Sequence, residues 1–159
     1  MDTQGILAEL AKATSIEKRP VTNTAVLNEA FHYPKPSSFS RGLRLEFGSV
    51  VVILISGTAS IDEHGVSIHI GDFRAQCQRT FSNIKGLLAA EGATWKDVVK
   101  TSCFLRDIER DYEAFNDERT RFYSDQSLDP LPASIGIQAI LCRPELLVEI
   151  EAMAVMIKK

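Results

Sequence analysis

Leu147-Val148-Glu149-Ile150-Glu151-Ala152-Met153-Ala154 alternates side-chain character with a period of two and so reads as a β-strand. Ile150, Ala152 and Ala154 fall on one face, and Glu149 and Glu151 on the other. The pattern predicts a strand over residues 147–157. Just upstream, Pro144 interrupts the chain, and before it residues 133–141 read as another strand, with Ile135, Ile137 and Leu141 on one face. Pro130 and Pro132 close off a helical pattern over residues 108–123 that buries Tyr112, Phe115 and Phe122. Residues 98–105 are rich in β-branched side chains and predict a strand. Asp72 can cap a helix whose Phe73, Cys77, Phe81, Ile84 and Leu88 form one apolar stripe, with Gly92 placed to end it.

Towards the N-terminus, residues 43–47 and 50–55 read as two strands joined at Gly48-Ser49. The second suits a strand buried on both faces. Asp62-Glu63-His64-Gly65 reads as a tight turn into a short strand over 66–70. Residues 2–13 place Ile6, Leu7 and Leu10 at helical spacing, while 19–40 hold Pro20, Pro34 and Pro36 and little periodicity. The chain therefore divides into an N-terminal helix and irregular arm (1–40) and a domain (41–159). Strands, helix, strand, helix, strands is the order of an α+β layer, a mixed sheet with two helices on one face. By alternation Ser134, Gly136, Gln138, Glu149 and Glu151 occupy the uncovered face. That face is otherwise too apolar to be solvated, so self-association is expected to bury it.

The composition fits a single domain: 159 residues, 45% apolar and 25% charged. No apolar run approaches the ~20 residues of a membrane span, so no membrane partner is expected. The first ten residues lack a basic cluster and a signal-type apolar stretch, which points to a cytoplasmic location. A net charge of −3 without a Lys/Arg cluster argues against nucleic acid as a partner. Cys77, Cys103 and Cys142 are odd in number and lie in apolar segments, as reduced buried thiols would. His32, His64 and His69 share no ligand spacing with each other or with the cysteines, and there is no Gly-rich phosphate loop. Neither a metal nor a cofactor is expected.

Six separated motifs carry a resemblance: Ile55-Ser56-Gly57, Asn83-Ile84, Asp97-Val98-Val99-Lys100-Thr101, Ala114-Phe115-Asn116, Pro132-Ala133 and Val148 through Ala154. In order and spacing they resemble the Rid (reactive intermediate deaminase, YjgF-type) superfamily, whose members include proteins described as L-PSP endoribonucleases. The resemblance implies a chorismate-mutase-like α+β fold and a homotrimer with a central barrel and three interface clefts. In the imine deaminases of that superfamily, an arginine after Pro-Ala clamps the substrate carboxylate and a late glutamate positions water. Here the arginine position is Ser134, which lacks both the charge and the paired donors, and Gly136 stands where a cysteine is common. The glutamate corresponds to Glu149, the cleft glycine to Gly57, and the aromatic residue at the mouth to Phe39. These departures count against ordinary imine deamination. Ser56 through Ile61, His69-x-Gly71-Asp72 and Leu141 through Glu149 also resemble the C-terminal half of chorismatases, which are about twice as long. There the glutamate is the proposed acid toward an enol ether, and the Cys142 position tunes the product.

These readings name the candidate residues. Burial of Glu149 on an apolar strand would raise its pKa and suit it to general-acid chemistry; the alternative is an interface glutamate held by backbone donors. Glu151 shares its face and supports it as a neighbouring carboxylate, or serves structure alone. Arg143, past a strand end beside Pro144, is the candidate anchor for a small-molecule carboxylate ligand, against a solvated loop arginine. Cys142 has no nearby histidine to activate it and reads as a small buried wall residue. Asn116, on the inward face of its helix, is expected to tie the helix to a neighbour. The combined expectation is a hydrolase or lyase acting on a small carboxylate substrate, chorismatase-like or a divergent enamine/imine deaminase. A metabolite-binding module on the same scaffold is the alternative.

Overall fold

A computed structural model describes residues 2–5, 15–33 and 35–158. Six strands form one sheet in the order β1-β2-β3-β6-β4-β5. They are β1 Ile16–Pro20, β2 Gly42–Phe47, β3 Val50–Ala59, β4 Val98–Leu105, β5 Ala133–Gln138 and β6 Val148–Ile157. Only the β4–β5 pair is parallel; every other pairing is antiparallel. Helices α1 Phe73–Ala90 and α2 Ile108–Asp125 cover one face, so the expected α+β layer of a mixed sheet and two helices is what forms.

Local chemistry sets the helix ends. The Asp72 carboxylate accepts from the Ala75 N–H at 3.0 Å, and Gly92 takes φ +70° just past the end of α1. Asp107 caps α2 through the Arg110 N–H at 3.1 Å. Between helices and sheet the core is aromatic: Phe81 stacks on Phe122 at 4.7 Å, and Trp95 meets both rings edge-on.

Four expectations need correction. Residues 66–70 are not a strand: a lone bridge joins Ile61 to Ser67. The Asp62 carboxylate there accepts from the backbone N–H groups of His64 and Val66, and His69 lies at φ +59°, which together break the extended run. Tyr112 is 47% exposed, because the buried stripe of α2 runs through Asp111, Phe115 and Glu118 instead. Those two acids are tolerated inside by ion pairs with Arg110, Arg74 and Arg121. Of the three cysteines, all free, Cys77 and Cys103 are buried but Cys142 is exposed.

The fourth correction concerns the faces of the sheet. Ser134 pairs with Thr101 and Gly136 with Cys103, both buried residues on the helix side, and the Gln138 side-chain oxygen accepts from the N–H of Ile108 at the start of α2. Glu149 and Glu151 instead pair with Phe104 and Ser102, on the bare face. Ser134, Gly136 and Gln138 thus lie on the opposite face from the two glutamates.

The expected helix over 2–13 lies largely outside the described residues. The segment after it is less irregular than its composition suggests. Ile16–Pro20 joins the sheet edge, and Val21, Leu27 and Ala30 are fully buried. β1 escapes the sequence pattern because its five residues are exposed and carry no alternation; pairing with β2 alone defines it. Among the described residues no helix is long and apolar enough to cross a membrane.

Candidate active site

β3 and β6 lose register between Ile55 and Thr58, leaving Ser56 and Gly57 in a bulge. Pairing resumes at Thr58–Ile150, and a cleft of about 320 Å³ opens beside the bulge. Its walls come from the arm (Tyr33, Phe39), the residue that heads β2 (Arg41), the bulge (Gly57), the segment before β6 (Cys142, Arg143) and β6 itself (Glu149).

Glu149 is half-buried, and its carboxyl presses against the bulge. A Cβ added to Gly57 would lie 2.1 Å from Glu149 Oε1, so only glycine leaves room. Burial raises the pKa of Glu149, the like charge of Glu151 raises it further, and Arg41 pulls it back. The Cys142 thiol lies 4.0 Å from Glu149 Oε2. Glu149 forms no ion pair with a described residue.

Arg41 is 2% exposed, immediately before β2. Its Nε donates to the Asn28 carbonyl at 3.1 Å and its Nη2 to the Tyr33 hydroxyl. The guanidinium lies 4.8 Å from the Tyr33 ring centre and 5.1 Å from that of Phe39. Burial lowers its pKa, as expected for a cation withdrawn from water. The Arg143 guanidinium lies 5.9 Å from the Tyr33 ring centre, with Nη1 donating to the Gly65 carbonyl at 2.7 Å and to Ser67 Oγ at 3.1 Å. Gly65, at φ +82°, packs so closely on Tyr33 that a Cβ would fall 2.4 Å from the ring. Neither guanidinium has a carboxylate within ion-pair distance among the described residues. Glu29 accepts from the Arg41 backbone N–H at 3.4 Å without reaching its guanidinium that closely. The cleft is lined by two cations and by the Glu149 carboxyl, whose pKa burial raises.

Residues 26–156 match the family described as endoribonuclease L-PSP. The chain belongs to this family, within the Rid/YjgF superfamily. It is 32% identical over 103 residues to the 3-aminoacrylate deaminase RutC of Acinetobacter baylyi, covering 65% of this chain and 78% of that one. A RutC family protein of Pyrococcus abyssi is 29% identical over 102 residues, 64% and 76% of the two chains. The solved YjgF gene product of E. coli superposes with a TM-score of 0.70 at 22% identity, covering 86% of this chain and 98% of that one. YyfA of Yersinia pestis, from the conserved Rid protein family, gives 0.68 at 22%, with 88% and 100% covered. At that identity the two structures speak to the fold.

Five of the residues that the sequence singled out share the cleft of this Rid-family chain: Phe39, Gly57, Cys142, Arg143 and Glu149. Glu151 stays on the same sheet face but lines a separate hollow of about 300 Å³ with Lys100, Ser102 and Met153. Ser134 and Asn116 lie elsewhere, beside α2, where Arg119 bridges them: Nη2 to Asn116 Oδ1 at 2.5 Å and Nη1 to Ser134 Oγ at 3.2 Å. Asn116 is half-buried and ties within its own helix rather than to a neighbour. Sequence reasoning missed Tyr33, from the arm without periodicity, and Arg41, just past it at the head of β2. The available signal was an arginine directly heading an apolar strand. Among the described residues no group of three or more His, Cys, Asp or Glu is placed to hold a metal.

Proposed function

We propose that this Rid-family protein is a homotrimeric hydrolase or lyase whose cleft binds a small unsaturated carboxylate and protonates it from Glu149. One observation carries the reading: two guanidiniums, Arg41 and Arg143, neither in an ion pair with a described residue, line one cleft with the Glu149 carboxyl, whose pKa burial raises. Such a cleft favours an anionic ligand. Among the described residues Arg41 Nη1 and Arg143 Nε and Nη2 have no hydrogen-bond partner, so each guanidinium can still donate.

The chemistry that fits is protonation of an electron-rich double bond, an enamine or enol ether conjugated to the anchored carboxylate. The proton moves from Glu149 to carbon, and the positive charge falls on the carbon bearing nitrogen or oxygen. Water adds to that carbon; one of its protons leaves with the amine or alcohol, and the other is lost as the carbonyl forms and restores the proton that Glu149 gave up. Enamine deamination and enol-ether hydrolysis share this first step. The first is the class named for the Acinetobacter relative and the second that of the chorismatase resemblance.

The test is to mix the purified protein with freshly generated 3-aminoacrylate and with chorismate, and to follow ammonia and pyruvate release. Turnover of one, reduced at least 100-fold in Glu149→Gln, supports the proposal. No turnover of either, with Glu149→Gln indistinguishable from the unsubstituted protein, overturns it. Saturable binding without turnover assigns a metabolite-binding module instead.

A further inference from the structure

Cys142 and Arg143 reach the cleft from residues 139–147, a stretch between β5 and β6 that is neither helix nor strand. Its backbone bonds to itself from the Leu146 N–H to the Arg143 carbonyl at 3.2 Å. A stretch of this kind keeps one shape when its other carbonyls and N–H groups find partners outside it.

Arg106, half-buried directly after β4, is the chief partner. Its Nε donates to the Leu146 carbonyl at 2.6 Å, and its Nη2 donates to the carbonyls of Arg143 at 2.6 Å and Leu141 at 3.3 Å. Its backbone N–H donates to the Leu147 carbonyl at 2.9 Å. Gln76, fully buried on α1, meets two more groups: Nε2 donates to the Glu145 carbonyl at 2.9 Å, and Oε1 accepts from the Leu147 N–H at 2.8 Å. Arg106 forms no ion pair with a described residue; the carbonyl dipoles of this turn meet its charge instead. One planar fork with several donors can curl a turn around itself in this way, whereas the single nitrogen of a lysine cannot span the same carbonyls.

The hold extends to the cleft. Arg143 is fixed at its carbonyl by Arg106 and at its guanidinium by the Gly65 carbonyl and Ser67 Oγ. Cys142 lies between two carbonyls that the same Nη2 binds. Glu149 is independent of this turn, because it stands on β6 with a strand paired on each side.

We infer that Arg106 is a positioning residue, which holds the 141–146 turn so that Arg143 presents its guanidinium to the cleft. The consequence for a ligand rests on the cleft reading proposed above; the hold on the turn does not.

Hydrogen exchange reads that hold without any ligand. In Arg106→Met the Leu146 and Leu147 amides are expected to exchange at least about ten-fold faster, while those of β3 and β6 keep the rates of the unsubstituted protein. Unchanged protection of Leu146 and Leu147 overturns the inference, and so does a loss spread evenly over the sheet. Should Arg106→Met fail to fold, Arg106→Lys, which keeps the charge without the fork, carries the same comparison and the same expectation.

Steady-state kinetics read the consequence. For whichever of 3-aminoacrylate and chorismate is turned over, Arg106→Met is expected to raise KM about ten-fold and to leave kcat within about three-fold. For a compound that binds without turnover, Kd rises by the same factor. A fall in kcat at unchanged KM is what loss of folded protein produces, and it overturns the positioning role. Faster exchange at Leu146 and Leu147 in a protein that neither binds nor turns over either compound overturns the cleft reading alone.

Discussion

A side chain at Gly57 would collide with Glu149: an added Cβ falls 2.1 Å from Oε1 and 3.0 Å from the carboxyl carbon. The bulge in β3 brings the Gly57 backbone this close, and the contact holds the carboxyl against backbone instead of water. Gly57→Ala must therefore move either the carboxyl or the strand. Overpacking of this kind costs about 1–3 kcal/mol when the surroundings have to yield. Here the Glu149 side chain can yield first, so stability is expected to fall by a few degrees in Tm while turnover or ligand affinity falls at least ten-fold. Thermal melts alongside activity measurements check this. Unchanged activity in Gly57→Ala would separate the packing of this pair from the chemistry.

Glu151 affects Glu149 through charge alone. Burial is the larger cause of the raised Glu149 pKa and the Glu151 carboxylate the next. A raised pKa means that the protonated acid survives to higher pH than in a free glutamate, and activity depending on it falls as pH rises through that value. Glu151→Gln removes one raising cause, so the alkaline limb of the pH profile moves to lower pH. Arg41→Met removes the lowering influence and moves it up, if any activity remains. The same linkage bears on stability: the fold favours neutral Glu149, and that contribution fades as pH rises from the unfolded carboxylate range through the folded value. Glu149→Gln is therefore expected to melt higher than the unsubstituted protein at neutral pH, with the gap closing in acid. A Tm difference that grows as pH falls contradicts this account.

The strands that were legible in the sequence are those whose burial is one-sided or complete. Ile150, Ala152 and Ala154 alternate with Glu149 and Glu151, and the structure keeps that alternation throughout β6. β1 was not legible, because Ile16–Pro20 is held by backbone pairing and buries nothing. Alternation along β5 was visible, but which of its faces turns toward the helices was not. That phase depends on the parallel register that sets Ser134 opposite Thr101, a long-range fact absent from local pattern. The site divides in the same way. Glu149, Gly57, Cys142 and Arg143 belong to short strings around strand ends, while Tyr33 in the arm and Arg41 where the arm meets β2 reach the cleft along a path that only the tertiary structure defines.

The two cleft arginines are predicted to differ in what their loss costs. Charge-assisted hydrogen bonds contribute about 1.5–3 kcal/mol each, so Arg143→Met or Arg41→Met should weaken carboxylate binding roughly 10- to 100-fold. Arg41 is also buried, and its removal leaves the Asn28 carbonyl and the Tyr33 hydroxyl without their donor. Arg41→Met is accordingly expected to lower Tm by more than Arg143→Met. Calorimetric titration with a carboxylate ligand, paired with melting curves, distinguishes the two. Equal affinity in all three proteins would remove the anion-anchor role.

Asn83, 1% exposed on α1, fixes the wall of the cleft from behind. Its Nδ2 donates to the carbonyls of Ala59 and Ile61 at 3.1 and 2.9 Å, where the chain leaves β3. Each carbonyl has a second donor, the Ile61 N–H for Ala59 and Arg79 Nε for Ile61. Asn83→Leu therefore orphans neither, and the expected cost stays near the lower end for a lost buried hydrogen bond, about 1–2 kcal/mol. Asn83→Asp is the more damaging change despite its similar shape, since it turns a donor into an acceptor facing two carbonyls and places an unpaired charge in the interior. Its Tm should lie below that of Asn83→Leu at neutral pH and approach it in acid, where a protonated carboxyl can donate again. Equal melting of the two variants across that range would mean that these two hydrogen bonds do not hold the wall.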